Sequence, residues 1–542
     1  MIWINNKNEI SETLVVAALE TISMRIGILD LLSDNLQSKT GRFSYGLYVR
    51  KQFMSIMPQA VAVWCRALNH EVHYATFWGQ CDPLYLVPDD LDVVFISAYT
   101  KCSALAYALN VAFKKRGALT VIGGPHARSF PTDCNRYFDI VVKDCDRTLI
   151  EDILRRRFDP PAIVSTGRAL KEFPSVEERM PEIRLASFHR GRPIATSIVP
   201  MLSSIGCPYS CNFCVDWNSD YVALPTKQLR TDLEYLCLNF PGLIVVYHDP
   251  NFAIRFDETM DVIAALPKGR RNRYMMESSL SVLKDTRIAR LSETNCIYIA
   301  PGIESWSDYS NKAGTGKSTG QEKLQKVIEK MALLSRHVPG IMANFVFGTD
   351  ADRGDEPVSL TLQFIDRLPQ VWPNIQIPTP FGGTPLYDDL YRSGRILKNM
   401  PFSFYFTPYL AITLSNYDPV TYYDHLIALN RAASSAKMFL RLLAADQPLA
   451  MRLVNSLRTF ATRADVRDFS EIRNLLASDP SFRAFHEGRS GVLPEFYRHL
   501  YKQRLGRFAE LLPADASQPM LEPPAAPRVP KIQEIASFQS VT

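Results

Sequence analysis

Apolar positions in this chain fall into short runs separated by stretches of helical period. From Met24 to about Arg157 the strand-like runs are RIGILDLL (25–32), HEVHYATF (70–77), DVVFISAY (92–99), LTVIGG (119–124) and FDIVV (138–142). Between them, Ser103–Arg116 opens on a capping-type Ser, spaces Leu105, Leu109 and Phe113 four apart, and stops at Gly117. This alternation predicts a doubly wound, Rossmann-like parallel α/β domain over 24–157. A second series over 196–396 reads IVPMLSS (198–204), LIVVYH (243–248), RYMMES (273–278), CIYIAPGI (296–303), IMANFVFG (341–348) and NIQIPTP (374–380), with helical stretches such as Glu322–Arg336 between. Six such units predict a (β/α)6 partial barrel, with chemistry on the loops at the strands' C-terminal ends. Residues 158–195 are polar and Pro-bearing and read as a linker. Residues 397–510 form a helical C-terminal region rich in Arg, Leu and Phe, and 511–542 read as a disordered Pro/Ala-rich tail. Residues 1–23 read as an N-terminal extension: Leu14–Leu19 is apolar, but the polar, acid-bearing stretch before it is unlike a signal peptide. Met1 and Met24 are both candidate starts.

Composition narrows the class. The 542 residues, 46% hydrophobic, can fill more than one core. The net charge of +5 is small, and no basic stripe interleaves with aromatics, so nucleic acid is not the expected partner. No apolar run is long enough to predict a membrane span. Of ten cysteines, seven are scattered and three cluster, which fits a reducing cytoplasm and one metal site better than a disulfide scaffold.

The cluster lies in SSIGCPYSCNFCVDW (203–217), directly after the first predicted barrel strand. Cys207, Cys211 and Cys214 form C-x3-C-x2-C. Thiolates are soft ligands suited to iron–sulfur clusters, and a loop of this spacing can wrap three corners of a cubane. With no fourth Cys nearby, one iron would keep the open position that chemistry at a metal needs. Chance spacing and structural zinc are the alternatives; zinc would want a fourth Cys or His close by. A second run, GTGKST (314–319), invites a phosphate-loop reading. The Walker pattern needs Gly five positions before Gly316, where Asn311 stands, and no strand immediately precedes it.

The cysteine segment resembles the radical S-adenosylmethionine (SAM) superfamily, whose signature is CxxxCxΦC with Φ aromatic; Phe213 occupies Φ. The resemblance implies that the three cysteines hold a 4Fe–4S cluster. Its open iron would chelate the amino and carboxylate groups of SAM, and one electron would split SAM to methionine and a 5′-deoxyadenosyl radical. It also implies an external electron donor of flavodoxin or ferredoxin type, and a Phe213 backbone near the adenine. The likeness continues in YHDPNF (247–252), GIES (302–305), FVFGTDAD (345–352) and TPFGGTPLYDDL (379–390). These imply SAM-site roles for Asp249, Glu304 and Gly348. The usual acid three positions after Gly348 is Ala351, so Asp350 or Asp352 would stand in. The usual two glycines and an acid after the second strand are absent, so SAM's amino group would meet Asp249 or a nearby carbonyl. Read from the residues alone, Glu304 could equally be an ion-pair residue and Asp249 a helix cap.

The first domain resembles the cobalamin-binding domain that precedes the barrel in one radical SAM subfamily, through VVFISAYT (93–100), TVIGGPHA (120–127) and FDIVV (138–142). Ligands of open parallel sheets lie beyond the strands' carboxyl ends, where Ser97, Gly123 and Gly124 fall. The likeness implies that they line the pocket of the cobalamin nucleotide tail, with His126 behind them. Two departures stand: the base-off DxHxxG run is missing, and the GEGE run is replaced by Lys143-Asp144-Cys145-Asp146. The expected function is therefore a cobalamin-dependent radical SAM methyltransferase acting on an unactivated carbon of a small-molecule secondary metabolite or lipid. The alternatives are an enzyme of this architecture that rearranges, cyclises or oxidises without methyl transfer, and a non-catalytic iron–sulfur or cobalamin sensor.

Overall fold

Two six-stranded parallel sheets carry the fold. They are seen in a computed structural model that describes residues 23–34 and 55–524 apart from 169, 171, 190, 191 and 218. The expected extension up to residue 22 and the tail beyond 524 lie outside the described residues.

The first sheet comprises β1 (Arg25–Leu31), β2 (Glu71–Phe77), β3 (Val93–Ala98), β4 (Leu119–Gly123), β5 (Ile140–Val142) and β6 (Ala162–Val164), in the order β2-β1-β3-β4-β5-β6. β1 and β3 are buried almost throughout, as strands covered on both faces must be, which is why they read as continuous apolar runs. The covering helices include α1 (Ile56–Ala67), α2 (Ser103–Lys115), α3 (Pro125–Ser129), α4 (Pro131–Asn135) and α5 (Arg147–Leu154). The strand order reverses between β1 and β3, and in such sheets the crevice at that switch point takes the ligand.

The segment expected to be a plain linker is more than that. Ala162–Val164 pairs with β5 and so covers a sheet edge that would leave backbone groups unpaired. Val176–Leu185 forms α6, opened by a capping box between Ser175 and Glu178. From α6, the fully buried Arg179 donates to Gln59 Oε1 on α1 at 2.8 Å and to the Pro200 carbonyl at 3.2 Å.

The second sheet runs β7 (Ile198–Met201), β8 (Ile244–Tyr247), β9 (Arg273–Ser278), β10 (Cys296–Glu304), β11 (Gly340–Val346) and β12 (Val371–Gln376), neighbour to neighbour in chain order. Helices α7 (Thr226–Asn239), α8 (Phe256–Ala264), α9 (Asp285–Glu293), α10 (Gly320–Ser335), α11 (Glu356–Arg367) and α12 (Pro385–Arg392) alternate with them. This is the expected partial barrel. Its last strand sits earlier than expected: Val371 already pairs with Ile341, and the prolines at 378 and 380 cannot continue the ladder. Pro373 is tolerated because β12 is an edge strand. GTGKST falls in the turn leading into α10, separated from the end of β10 by residues 305–313, so no strand runs directly into it.

The C-terminal region is helical: α13 (Pro419–Ala433), α14 (Ala436–Leu443), the long α15 (Leu449–Ser478), α16 (Pro480–His486) and α17 (Glu495–Leu505). Beyond it, residues 511–524 are not the loose tail expected from their composition. Met520 N donates to Asp133, Arg136 pairs with Asp515, and the Glu522 carboxylate accepts from Thr132 N and Oγ1. No described helix is long and apolar enough to cross a membrane.

Arg179→Ala would leave Gln59 Oε1 and a β7 carbonyl without their donor, and should cost about 2–4 kcal/mol of stability. Urea unfolding of the purified protein measures it; a change within about 0.5 kcal/mol would remove Arg179 as a joint between the sheets.

Candidate active site

The carboxyl ends of both sheets open onto one cavity of about 2550 Å³, well above the ~1,000 Å³ of a large ordinary ligand pocket. The first sheet contributes Ser97, Tyr99, Gly123, Gly124 and the 142–145 turn, while the barrel contributes Asp249, Glu277 and the Val215–Trp217 end of the cysteine loop. The cavity continues down the barrel lumen, past Ala300 and Tyr298 of β10.

The cysteine loop is built by hydrogen bonds that start at Asp249. This buried carboxylate accepts from Ser203 N (3.0 Å), Ser203 Oγ (2.6 Å) and Ser204 Oγ (2.6 Å), fixing the chain as it leaves β7. Burial still pushes its carboxyl up, against the pull of those donors. Asp249 is thus a positioning residue of the loop, with both oxygens accepting from the serines, and it borders the cavity. Gly206 adopts φ +71°, and a Cβ there would run into the Asp220 carbonyl, so only glycine lets the loop close on its return segment. Cys214 N donates to Cys211 O and Trp217 N to Cys214 O, winding the loop tightly.

Cys207 and Cys211 are buried, Cys214 half-buried, and all three are free thiols. None lies on the cavity wall. They face Lys312, on which burial is outweighed by Glu304 and then by the three sulfurs, so that its ammonium is held firmly charged. A cubane takes its thiolates at separate corners. The donor set therefore suits a cluster: three soft ligands beside one fixed cation.

Phe213 stacks on Tyr309 at 5.6 Å and 11° between planes. Glu304 ends β10 at a register shift against β11, with φ +66°, a conformation a non-glycine residue keeps only under constraint. Its carboxylate folds back over Gly302, where a Cβ would collide with it, and stands 3.9 Å from Lys312 Nζ. Burial raises its pKa to about 7, against the pull of Lys312 and Lys323.

Three expected ligand positions are engaged in packing. Gly348 has φ +98°, and a Cβ there would lie 2.5 Å from the Tyr422 ring of α13; the glycine serves that packing and is not on the cavity wall. Between the candidate acids, Asp352 turns inward, accepting from Gly348 N, Thr349 N and Ser305 Oγ, whereas Asp350 pairs with Arg395 near the surface. At Gly124, φ +87°, a Cβ would press on the β3 backbone at Ala98, so this glycine lets β4 close on β3 while it still borders the cavity. Gly123 is the open one, its nearest neighbour the Val142 carbonyl at 3.9 Å. His126 does not line the cavity. Its ring is fully buried, bonded to Tyr107 at 2.6 Å and packed on Phe130 and Phe402, and burial lowers its pKa to about 3. It belongs to the core because α3 points it away from the strand ends.

Sequence reading missed Lys312 and Glu277. Glu277 faces the cavity from the end of β9, and enclosure by protein raises its pKa against the pull of Lys312. No motif marks either; only the strand-end position of Glu277 could have flagged it.

Residues 201–356 match the family model of the radical SAM superfamily. The chain is 26% identical over 358 residues to bacteriochlorophyllide d C-8(2)-methyltransferase of Chlorobaculum tepidum, covering 61% of this chain and 75% of that one. It is 25% identical over 219 residues to hopanoid C-3 methylase of Methylococcus capsulatus, covering 39% and 40%. Its fold is similar to that of the cobalamin-dependent SAM radical enzyme OxsB, solved with aqua-cobalamin, at a TM-score of 0.56 and 12% identity over 90% of this chain and 80% of that one.

Gly348→Val should lower the melting temperature by several degrees through its clash with Tyr422 and its positive φ, a cost of about 1–3 kcal/mol at roughly 2–4 °C per kcal/mol for a domain of this size class. Differential scanning fluorimetry checks this. An unchanged melting temperature with weakened SAM binding would return Gly348 to the ligand site.

Proposed function

We propose that this chain, which belongs through residues 201–356 to the radical SAM superfamily, is a cobalamin-dependent methyltransferase acting on an unactivated carbon of a small-molecule secondary metabolite or lipid. The observation that carries the reading is the single cavity reached both by the carboxyl ends of β3 and β4 and by the cysteine loop. Relatives named as methyltransferases of a bacteriochlorophyllide and a hopanoid support it.

Cys207, Cys211 and Cys214 would hold the 4Fe–4S cluster, and Ser97, Gly123 and the 142–145 turn would border the corrin. When bound, the cluster supplies the electron that splits SAM, and the corrin supplies the methyl group. The chain's own residues do the rest. Lys312 offsets negative charge gathered at the sulfurs, and Glu304 holds Lys312 in place. Phe213 and Tyr309 close the loop as one stacked unit over the buried thiols. Asp352 ties the loop after β11 to Ser305, keeping two strand ends in register where SAM would lie. The apolar lumen keeps water from a reactive carbon centre. We read the electron donor as a flavodoxin or ferredoxin type, met in the cytoplasm.

Turnover of the anaerobically reconstituted protein with SAM, a reductant and hydroxocobalamin should yield both 5′-deoxyadenosine and S-adenosylhomocysteine. Accumulation of 5′-deoxyadenosine alone would favour rearrangement or oxidation without methyl transfer, and no SAM consumption at all would favour a sensor. Replacing all three cysteines by Ala should abolish the iron chromophore, whereas Cys237→Ala, at a buried position of α7 and off the cavity, should leave it intact.

A further inference from the structure

α14 and α15 form a hairpin about the 444–448 turn, joined through the Phe439 and Phe460 rings at 5.8 Å. α14 buries Met438 and Leu442, yet its other side carries Leu440, 65% exposed, and Leu443. α15 opens with Leu449 (64% exposed), Leu453 (50%) and Leu457 at four-residue steps, which puts all three on one face. A helix that is apolar on both sides ordinarily has something packed against each of them. Exposed leucines scattered singly need no explanation, but neighbouring ones mark a surface that is covered in use. The row also leads inward. Leu457 lines the central cavity with Met451, Val454 and Ala461, while Leu449 and Leu453 stand outside it. Apart from Arg458, whose guanidinium lies over Trp372 and Tyr298, the α15 wall turns charged only further on, at Asp465, Arg467 and Asp468.

We infer that α14 and the first half of α15 dock on the surface of an anionic membrane, so that the leucine row leads from the lipid into the cavity. The inference rests on the lipid reading of the acceptor for its purpose, and on the leucines and their charged neighbours for the contact itself. From 436 to 463 the chain holds one acid, Asp446, against Lys437, Arg441, Arg452, Arg458 and Arg463. Lys437 and Arg441 share Asp366 of α11. Arg452 and Arg463 donate to the Leu443 and Ser434 carbonyls, and among the described residues no carboxylate pairs with either. Leucines bordered by uncompensated cations suit a helix that lies in the interface of a bilayer containing anionic lipid. No described helix is long and apolar enough to cross a bilayer, so the contact lies on the surface and does not span it. A second copy of the chain fits this face less well. A two-fold contact would set the same arginines against each other. The area is also short. A whole aromatic side chain covers about 150–250 Å², so five partly exposed leucines fall below the ~800 Å² that each partner gives to a stable interface.

The test is co-sedimentation of the full-length reconstituted protein, without SAM, with vesicles of mixed phosphatidylcholine and phosphatidylglycerol. Wild type should sediment with them, and bind about tenfold more weakly to phosphatidylcholine alone. The double variant Leu449→Glu, Leu453→Glu, which leaves the cavity wall untouched, should bind the mixed vesicles about thirtyfold more weakly. Its melting temperature should match that of wild type, because both positions are exposed. The double variant Arg452→Gln, Arg463→Gln should lose the preference for phosphatidylglycerol and match wild type on phosphatidylcholine. A wild type that stays in the supernatant, or leucine variants that sediment as wild type does, would overturn the docking surface. A melting temperature lowered by several degrees in the leucine variant would show the face covered within the chain and overturn it too. So would a wild-type dimer, seen by light scattering, that the leucine variant splits into monomers. Because the readout is lipid binding, a failure of methyl transfer leaves these outcomes unchanged.

Discussion

A guanidinium cut off from water must find acceptors inside the protein, and the acceptors found by Arg179 belong to different parts of the fold. It donates to Gln59 on α1, to the Pro174 carbonyl ahead of α6 and to Pro200 on β7, and lies over the Phe173 ring. Burial lowers its pKa only to about 10, so it remains a cation at neutral pH and needs all of these contacts. One side chain therefore fixes the first strand of the barrel against the first domain. Since β7 feeds the cysteine loop, the distance from the sulfurs to the glycine ends of the other sheet is inherited from this joint.

Downstream of the joint, charge is handled locally. Asp249 is satisfied by serines next to it in space and gives the cysteine loop its starting direction. Glu304 and Lys312 form the counterpart on the far side, the acid kept poised by burial and the base kept charged by the acid and the sulfurs. Asp352 repeats the pattern at the next strand end. The centre is thus rimmed by carboxylates that are engaged with the scaffold, which leaves the lumen beneath free to be apolar.

The first sheet was legible because β1 and β3 are buried on two faces and appear as unbroken apolar runs, and the second because strands such as β9, β11 and β12 alternate buried with partly exposed positions between helical stretches. The cysteine spacing was legible because it is local. What escaped was set by packing across the chain. His126 follows a glycine pair at a strand end, a position that suggests a ligand contact, yet α3 turns it into an aromatic core. Gly124 and Gly348 are glycines for the backbone of β3 and the ring of Tyr422, neighbours that no spacing rule relates to them. The capping box at Ser175 was readable and marks a helix in what composition alone presents as linker.

The return of residues 515–522 to the first domain bears on how the molecule is made. Asp133 is buried beneath that segment, sharing its oxygens among Tyr107, Arg136 and Met520 N, and Glu522 caps the start of α4. Domains made first on the ribosome generally fold first. Here the first domain waits for a segment translated much later to seal an acid in its own interior. Asp133 and Met520 stand 387 positions apart, and until the later segment arrives the face around Asp133 stays open to water.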